Sequence, residues 1–103
     1  MKVVITGAAG QISYSLIPFL CENGIFNSEK KLDLALVEIP GAMERLGGFV
    51  KELEDSAYST VNSISTYDNI QDAVVDADWC LLVGSIPRGI VLNGKEIKER
   101  SDL

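Results

Sequence analysis

Near its amino terminus the chain reads Val3-Val4-Ile5-Thr6-Gly7-Ala8-Ala9-Gly10-Gln11-Ile12-Ser13. Residues suited to a buried strand run into a glycine-containing turn, and a helical pattern follows. A strand, a glycine-rich turn and a helix in this order are typical of the opening of a dinucleotide-binding βαβ unit. An ordinary strand-to-helix turn of an α/β protein has the same outline, so the rest of the chain must decide between the two.

The glycines of this turn have separate predicted roles. Gly7 permits the tight turn that leaves the strand, and Gly10, which has no Cβ, lets the backbone approach a pyrophosphate closely. The free N–H groups of the first helical turn, with the positive end of the helix dipole, then face the phosphates. The spacing is G-x-x-G-x-x-S, and Ser13 stands where a third glycine often packs the helix against the strand.

Composition limits the possible classes of protein. The 103 residues are 47% hydrophobic and 23% charged, which is typical of one soluble globular domain with a small core. There are 15 acidic against 9 basic residues, a net charge of −6, so we expect no nucleic-acid partner. No apolar run approaches the roughly 20 residues that span a bilayer. With no signal-peptide pattern before Gly7, we expect a cytoplasmic protein without a membrane segment.

The two cysteines, Cys21 and Cys80, occur in a helical and a strand pattern respectively. We predict that both are small buried hydrophobic residues and not a disulfide or a metal pair. The chain has no histidine and no metal-ligand spacing, so we expect no metal site.

Strands and helices alternate along the chain. Apolar and β-branched runs predict strands at 2–6, 32–38, 61–66 and 78–84, and periodic apolar residues predict helices at 10–23 and 42–57. This alternation indicates an α/β fold with a parallel sheet in the order 3-2-1-4 and flanking helices, because successive crossovers are right-handed. The third strand is polar and is expected near the sheet edge.

Other local predictions concern caps, glycines and the end of the chain. Asp68 is predicted to cap a short helix through Ile70, Ala73 and Val74. Gly47-Gly48 indicates close approach of another backbone, from the sheet or from a second subunit, or else a locally weak helix. A loop with the turn residues Asn93-Gly94 is predicted over 85–94, and a charged helix over 95–103.

Two residues at strand ends are candidates for cofactor binding. Glu38 closes the second strand, where an acidic residue grips the two hydroxyls of the adenosine ribose and its charge would repel the extra phosphate of NADP. It lies 28 residues after Gly10, against a usual interval of about 20, and residues 25–31 account for the extra length. A solvated carboxylate is the alternative. Gly84 ends the fourth strand, where ligands of parallel sheets bind, and would permit a ligand beside the backbone.

Read together, four blocks of this sequence resemble the NAD-dependent malate dehydrogenases of the cytosolic type, within the lactate/malate dehydrogenase superfamily. The blocks are Thr6-Gly7-Ala8-Ala9-Gly10-Gln11-Ile12 with Tyr14-Ser15-Leu16, Glu38-Ile39-Pro40-Gly41-Ala42-Met43, Glu52-Leu53-Glu54-Asp55-Ser56-Ala57 and Leu82-Val83-Gly84-Ser85-Ile86-Pro87-Arg88. The resemblance covers nearly the whole chain but only about the first third of such an enzyme. It implies that residues 1–103 are the N-terminal part of an NAD-binding Rossmann domain, an incomplete doubly wound unit without the catalytic domain.

The family interconverts malate and oxaloacetate with NAD. The resemblance implies that the pyrophosphate is held by Gly7, Gly10, Gln11, Ile12 and Ser13 and the ribose by Glu38. It also implies a dicarboxylic substrate and a homodimer, since the family pairs its subunits through the helix that corresponds to 42–57.

Two arginines are implied in substrate binding. Arg88 follows the Gly-Ser-x-Pro segment, whose arginine clamps the distal carboxylate of the substrate in this family. A second family arginine lies six residues later and polarises the substrate carbonyl. Here Arg100 stands in a similar segment, Glu99-Arg100-Ser101-Asp102-Leu103, but 12 residues after Arg88. Either a longer loop still brings Arg100 to the substrate or this region has diverged.

The family's catalytic histidine and its orienting aspartate would both lie beyond residue 103. Hydride removal from an alcohol carbon needs a proton acceptor at the oxygen, and the chain has no histidine to provide one. We therefore expect no catalytic residue in this chain and no turnover by the chain alone.

Two other interpretations of the sequence remain open. Short-chain reductases and nucleotide-sugar epimerases share the opening motif, but none of Tyr14, Tyr58 and Tyr67 has the lysine four residues later that they use. A stand-alone nucleotide-binding module without catalysis is the third reading. The Gly-Ser-x-Pro-Arg block favours malate dehydrogenase.

Overall fold

The computed structural model describes residues 1–23, 30–84, 90–92 and 95–97. Strands and helices alternate over most of this length: β1 (Lys2–Thr6), α1 (Gln11–Asn23), β2 (Leu32–Val37), a 3-10 turn (Pro40–Ala42), α2 (Met43–Ser56), β3 (Val61–Tyr67), α3 (Ile70–Ala73) and β4 (Trp79–Leu82). Two short strands follow, β5 (Ile90–Leu92) and β6 (Lys95–Ile97). The predicted alternation is confirmed. In none of these parts is a helix long and apolar enough to cross a membrane.

The first four strands form one parallel sheet in the order β3-β2-β1-β4. The central strand β1 pairs on both sides, so that Ile5 lies beside Leu36 of β2 and Leu81 of β4. The predicted order 3-2-1-4 is confirmed, and the polar strand β3 is at the sheet edge as expected. Because all four strands are parallel, their carboxyl ends lie along a single edge, where ligands of such sheets bind.

The core lies mainly on one face of the sheet. There α1 and α2 pack against β1 and β2, and the buried residues include Val3, Ile5, Ile17, Leu20, Leu34, Leu36, Leu46, Phe49 and Leu53. On the opposite face a smaller cluster joins Val4, Ala35 and Val37 to Ala73 of the four-residue helix α3. Val3, Val4 and Ile5 are therefore fully buried from both faces, which anchors the turn that follows β1.

One predicted cysteine environment is wrong. Cys21 is buried as predicted, and its burial raises the pKa of the thiol to about 11. Cys80, however, is exposed. It lies on β4, the last strand of the described sheet, where Trp79 and Leu82 are also 54% and 74% exposed. A strand can be apolar in sequence and still be exposed when the described chain supplies no neighbour for its outer edge.

The prediction of a charged helix over 95–103 is wrong for residues 95–97, and the predicted loop over 85–94 contains a strand. β5 and β6 pair in antiparallel fashion, with Leu92 opposite Lys95. The two strands are separated by Asn93-Gly94, the dipeptide that favours a two-residue hairpin connection, and the apolar, partly β-branched sequence of β5 suits a strand. Residues 98–103 lie outside the described parts of the chain.

Two local predictions also require correction. The residue that caps α3 is Asn69 and not Asp68: Asn69 has extended backbone, and its Oδ1 accepts a hydrogen bond from the Asp72 N–H at 2.9 Å. Close approach of the sheet to Gly47 and Gly48 is wrong as well, because a Cβ built on either glycine has no neighbour within 4 Å among the described residues. The buried stripe of α2 runs through Leu46, Phe49 and Leu53, which leaves both glycines off that face.

Candidate cofactor-binding site

The turn between β1 and α1 is held in shape by its own backbone. Gly7 has a φ of +62°, a left-handed conformation that glycine adopts without a Cβ penalty. The Gly10 N–H donates to the Gly7 carbonyl at 3.0 Å, and the Tyr14 N–H donates to the Gly10 carbonyl at 2.9 Å, which starts α1. The Ala8 N–H donates to the Val37 carbonyl at 3.1 Å and ties the turn to β2.

The turn opens into a cleft of about 640 Å³ at the carboxyl edge of the sheet. The seven residues predicted to bind the cofactor all line this one cleft: Gly7, Gly10, Gln11, Ile12, Ser13, Glu38 and Gly84. In the first turn of a helix the N–H groups have no carbonyl partner within the helix. The N-terminus of α1 therefore presents donors to the cleft, which is the arrangement that binds phosphate.

Glu38 is fixed by hydrogen bonds to both of its carboxylate oxygens. Oε2 accepts from the Ala9 N–H at 3.0 Å, and Oε1 accepts from the Ile39 N–H at 3.0 Å. The carboxylate thus joins the end of β2 to the glycine-rich turn, although the two are 29 residues apart in sequence. A carboxylate has about four lone-pair positions, so acceptor sites remain for two hydroxyl groups of a ligand.

Ser13 and Gly84 line the cleft for reasons of packing. Ser13 is fully buried, and its Oγ has no hydrogen-bond partner among the described residues, which agrees with its predicted place between helix and strand. An added Cβ on Gly84 would meet the Cα of Gly7 and lie 2.9 Å from the Gly7 nitrogen. The backbone of Gly7 therefore occupies the space beside Gly84. The sequence had predicted a ligand in that space.

The carboxyl end of β4 is tied to β1 by Thr6. The Gly84 N–H donates to the Thr6 carbonyl at 3.2 Å, and the Val83 N–H donates to the Thr6 Oγ1 at 3.2 Å. These bonds extend the contact between the strands past Leu82, where β4 ends, and they bring Gly84 to the mouth of the cleft.

Sequence reasoning missed several residues of the cleft. Ile39 and Ile70 line it with apolar side chains that are 45% and 40% exposed. Arg45, from the first turn of α2, contributes a cation, and Asp68 and Asn69 come from the segment before α3. Arg45 lies two residues after the block from Glu38 to Met43 that resembles the family. Its short separation from Glu38 in the sequence was the signal that could have identified it.

The two arginines implied in substrate binding, Arg88 and Arg100, lie outside the described residues. Gly84, the last described residue before Arg88, lines the cleft. Within the parts of the chain that the structure describes, no group of three or more metal-ligating side chains is found.

Comparison with known proteins agrees with this geometry. The whole chain, residues 1–103, matches the family described as lactate/malate dehydrogenase, NAD binding domain. It is 44% identical over its full length to a malate dehydrogenase of Magnetococcus marinus, of which it covers 30%. It is 36% identical to the probable malate dehydrogenase 3 of Dictyostelium discoideum and covers 29% of that protein. The chain thus spans about 30% of the length of these curated relatives.

Solved structures show the same fold. Malate dehydrogenase from Naegleria fowleri superposes with a TM-score of 0.80 at 34% identity, over 86% of this chain and 27% of that one. Trichomonas vaginalis lactate dehydrogenase in complex with NADH and oxamate gives a TM-score of 0.76 at 34% identity, over 91% of this chain and 27% of that one. The resemblance to the lactate/malate dehydrogenase family and the cofactor NAD, both predicted from the sequence, are therefore confirmed. By its sequence match, its strand order and its glycine-lined cleft, the chain belongs to the lactate/malate dehydrogenase family and carries sequence of that family's NAD-binding domain.

Proposed function

We propose that this chain is the cofactor-binding part of a malate dehydrogenase, which oxidises malate to oxaloacetate with NAD and catalyses the reverse reaction with NADH. The observation that carries the cofactor assignment is the position of Glu38, whose carboxylate is fixed beside the glycine-rich turn by the Ala9 and Ile39 N–H groups. The names of the two curated relatives support malate as the substrate.

The residues of the cleft fit the separate parts of NAD. The pyrophosphate suits the N–H groups at the start of α1, near Gly10 and Ser13, where donors and helix dipole act together. The ribose hydroxyls suit Glu38, and the apolar surfaces of Ile39 and Ile70 suit the adenine ring. When bound, NAD supplies the acceptor for the hydride, while the chain holds and orients it.

Arg88 supports a dicarboxylic substrate. It follows Gly84, which lines the cleft, by four positions in the sequence. Malate and oxaloacetate carry one more carboxylate than lactate and pyruvate, and a charge removed from water costs several kcal/mol unless it is paired. The arginine fork supplies two parallel hydrogen bonds and the compensating charge.

The competing function within the family is lactate dehydrogenase, which the similarity to the Trichomonas vaginalis enzyme keeps in consideration. The two are distinguished by comparing kcat/KM for oxaloacetate and pyruvate with NADH, in the full-length protein. We expect a strong preference for oxaloacetate; a preference for pyruvate contradicts the proposal. The 103-residue chain alone should show no turnover, because the alcohol proton has no histidine acceptor in it.

We also propose that the full-length protein is a homodimer that pairs through α2. Gly47 and Gly48 support this, since no described residue comes within 4 Å of a Cβ placed on either. Each of the two adjacent glycines destabilises a helix by about 1 kcal/mol relative to alanine. Their presence in α2 is explained if the backbone of a second subunit packs against the flat surface that they leave.

A further inference from the structure

Thr6 uses two oxygen atoms to hold the carboxyl end of β4. Its carbonyl accepts a hydrogen bond from the Gly84 N–H at 3.2 Å, and its Oγ1 accepts one from the Val83 N–H at 3.2 Å. The regular pairing of β1 with β4 ends at Thr6 and Leu82, because the chain turns at Gly7. The hydroxyl therefore gives the Val83 N–H an acceptor at a point where the strand backbone no longer provides one.

The position of Gly84 matters because its backbone contacts the backbone of Gly7. A Cβ built on Gly84 would lie 2.9 Å from the Gly7 nitrogen. The Gly7 carbonyl in turn accepts a hydrogen bond from the Gly10 N–H at 3.0 Å, and this bond shapes the turn from which α1 starts. The Thr6 hydroxyl is thus connected, through Val83 and Gly84, to the helix N-terminus at which the pyrophosphate is proposed to bind.

The hydrogen bond between Val83 and Thr6 lies at the cleft itself. Both residues line the cleft, and the bond is partly buried. A backbone N–H that loses its partner in a partly buried place destabilises the local conformation. We expect the loss of the oxygen atom to displace the end of β4 without unfolding the sheet, because the other pairs between β1 and β4 are unaffected.

We propose that Thr6 is a positioning residue of the cofactor site, whose hydroxyl fixes the end of β4 against Gly7 and so keeps the turn in the shape that binds the pyrophosphate. Thr6 acts through Val83 and Gly84 and not by contact with the cofactor. The proposal rests on the NAD site proposed above, and it holds whether the substrate is malate or lactate.

The test compares Thr6→Val with Thr6→Ser in the full-length protein, with NADH affinity measured by isothermal titration calorimetry. Valine keeps the shape of threonine but lacks the oxygen acceptor, so NADH binding should weaken by about three- to tenfold, the scale of one hydrogen bond. Serine keeps a hydroxyl acceptor, so it should retain NADH affinity within about twofold. Loss of affinity in the serine variant contradicts the proposal even if the valine variant does not fold.

Thr60 provides a matched control away from the cleft. Its Oγ1 donates to the Cys21 carbonyl at 2.6 Å, and Thr60 is not one of the described residues that line the cleft. Thr60→Val also replaces a hydrogen-bonded hydroxyl by a methyl group, so it should lower the denaturant midpoint of unfolding. Its NADH affinity should equal that of the unmodified protein, in contrast to Thr6→Val.

Competition experiments locate the effect within the cofactor. ADP-ribose contains the pyrophosphate, whereas adenosine contains no phosphate. Displacement of NADH, followed by its fluorescence, should show weaker binding of ADP-ribose to Thr6→Val and unchanged binding of adenosine. A general loss of structure would weaken the binding of both compounds.

Three outcomes overturn the proposal. Thr6→Val binds NADH as tightly as the unmodified protein, or Thr6→Ser loses as much affinity as Thr6→Val, or adenosine and ADP-ribose lose affinity equally. Failure of the unmodified protein to bind NADH is distinguishable from these, because it contradicts the NAD site itself and this inference with it.

Discussion

The backbones of Gly7 and Gly84 are in direct contact where β1 and β4 both end at the cleft. An added Cβ on Gly7 would meet the Cα of Gly84 and lie 2.7 Å from its nitrogen. Gly7 also has a φ of +62°. The two glycines let the turn after β1 and the end of β4 pack against each other at the cleft.

We expect Gly84→Ala to destabilise the protein by about 1–3 kcal/mol, because the methyl group would overlap backbone atoms. Gly7→Ala should cost more, since it adds about 1–2 kcal/mol for a non-glycine residue in the left-handed conformation. Denaturant unfolding of the full-length protein measures both. Gly41→Ala is the control: a Cβ there meets nothing within 4 Å, so its effect should stay within about 0.5 kcal/mol. Equal effects of all three changes would show that the contact does not matter.

Arg88→Gln should raise the KM for oxaloacetate and lower kcat/KM by an amount equivalent to about 2–5 kcal/mol, the range for removing one partner of a buried charge pair. NADH affinity should change little, and discrimination against pyruvate should largely disappear. Steady-state kinetics with both substrates, in the full-length protein, test this. Weaker NADH binding with an intact substrate preference would show that Arg88 belongs to the cofactor site.

Gly47→Ala should stabilise α2 within one subunit by up to about 1 kcal/mol, because alanine has the higher helix propensity and the added Cβ has no described neighbour. In the proposed dimer the same Cβ should weaken pairing, because it occupies the space left for the second backbone. Gly47→Glu should instead dissociate the proposed dimer, since it adds a charge and bulk to the paired surface. Denaturant unfolding measures the change in stability, and sedimentation velocity of the full-length protein measures the change in dimerisation. A protein that is monomeric before mutation, or a dimer that the glutamate variant leaves unchanged, contradicts pairing through this helix.

Asp33 should contribute to stability only above acidic pH. Its Oδ1 accepts hydrogen bonds from Asn62 Nδ2 at 2.8 Å and Ser63 Oγ at 2.7 Å, and these bonds lower the pKa of the carboxyl, with a smaller effect of the Met1 amino group. A pKa lower in the folded than in the unfolded state means that the stabilisation is present above the unfolded value, about 3.9, and is lost as the pH falls through the folded value.

Asp33→Asn tests this dependence. The free energy of unfolding should be lower in the variant near pH 7 by less than about 1 kcal/mol, because the site is exposed and screened by solvent. The difference between the two proteins should shrink as the pH falls below about 4. A difference that is constant from pH 7 to pH 3 would mean that the charge of Asp33 contributes nothing.

Cys21 should resist thiol reagents while the protein is folded. Its thiol is buried, and the raised pKa, about 11, leaves very little thiolate at pH 8. Iodoacetamide labelling with peptide mass spectrometry, before and after denaturation, should modify Cys21 only in the unfolded protein. Modification at equal rates in the two states would place Cys21 outside the core.

The parts of the fold that follow from periodicity could be read from the sequence. Continuous apolar strands with intervening amphipathic helices leave few topologies, so the order of the four strands and the edge position of β3 were predictable. The position of Glu38 beside the glycine-rich turn was also predictable, because the carboxyl ends of parallel strands lie along one edge of the sheet.

The remaining features depend on contacts between segments that the local sequence does not encode. Asp68 and Asn69 are equally good caps, and only the backbone direction at the start of α3 selects Asn69. Cys80 has an apolar strand around it, but exposure depends on which neighbours the sheet has. Arg45 looks like any surface arginine of a helix until the fold shows that it lines the same cleft as Glu38.

The open side of β4 gives the molecule an optical marker. Trp79 is the only tryptophan of the chain, it is 54% exposed, and no described strand pairs with the outer edge of β4. An indole in water emits at longer wavelength than one surrounded by protein. The emission maximum of Trp79 therefore reports whether another element covers the outer edge of β4. A red-shifted maximum is expected when β4 ends the sheet, and a blue-shifted one when another element lies against it.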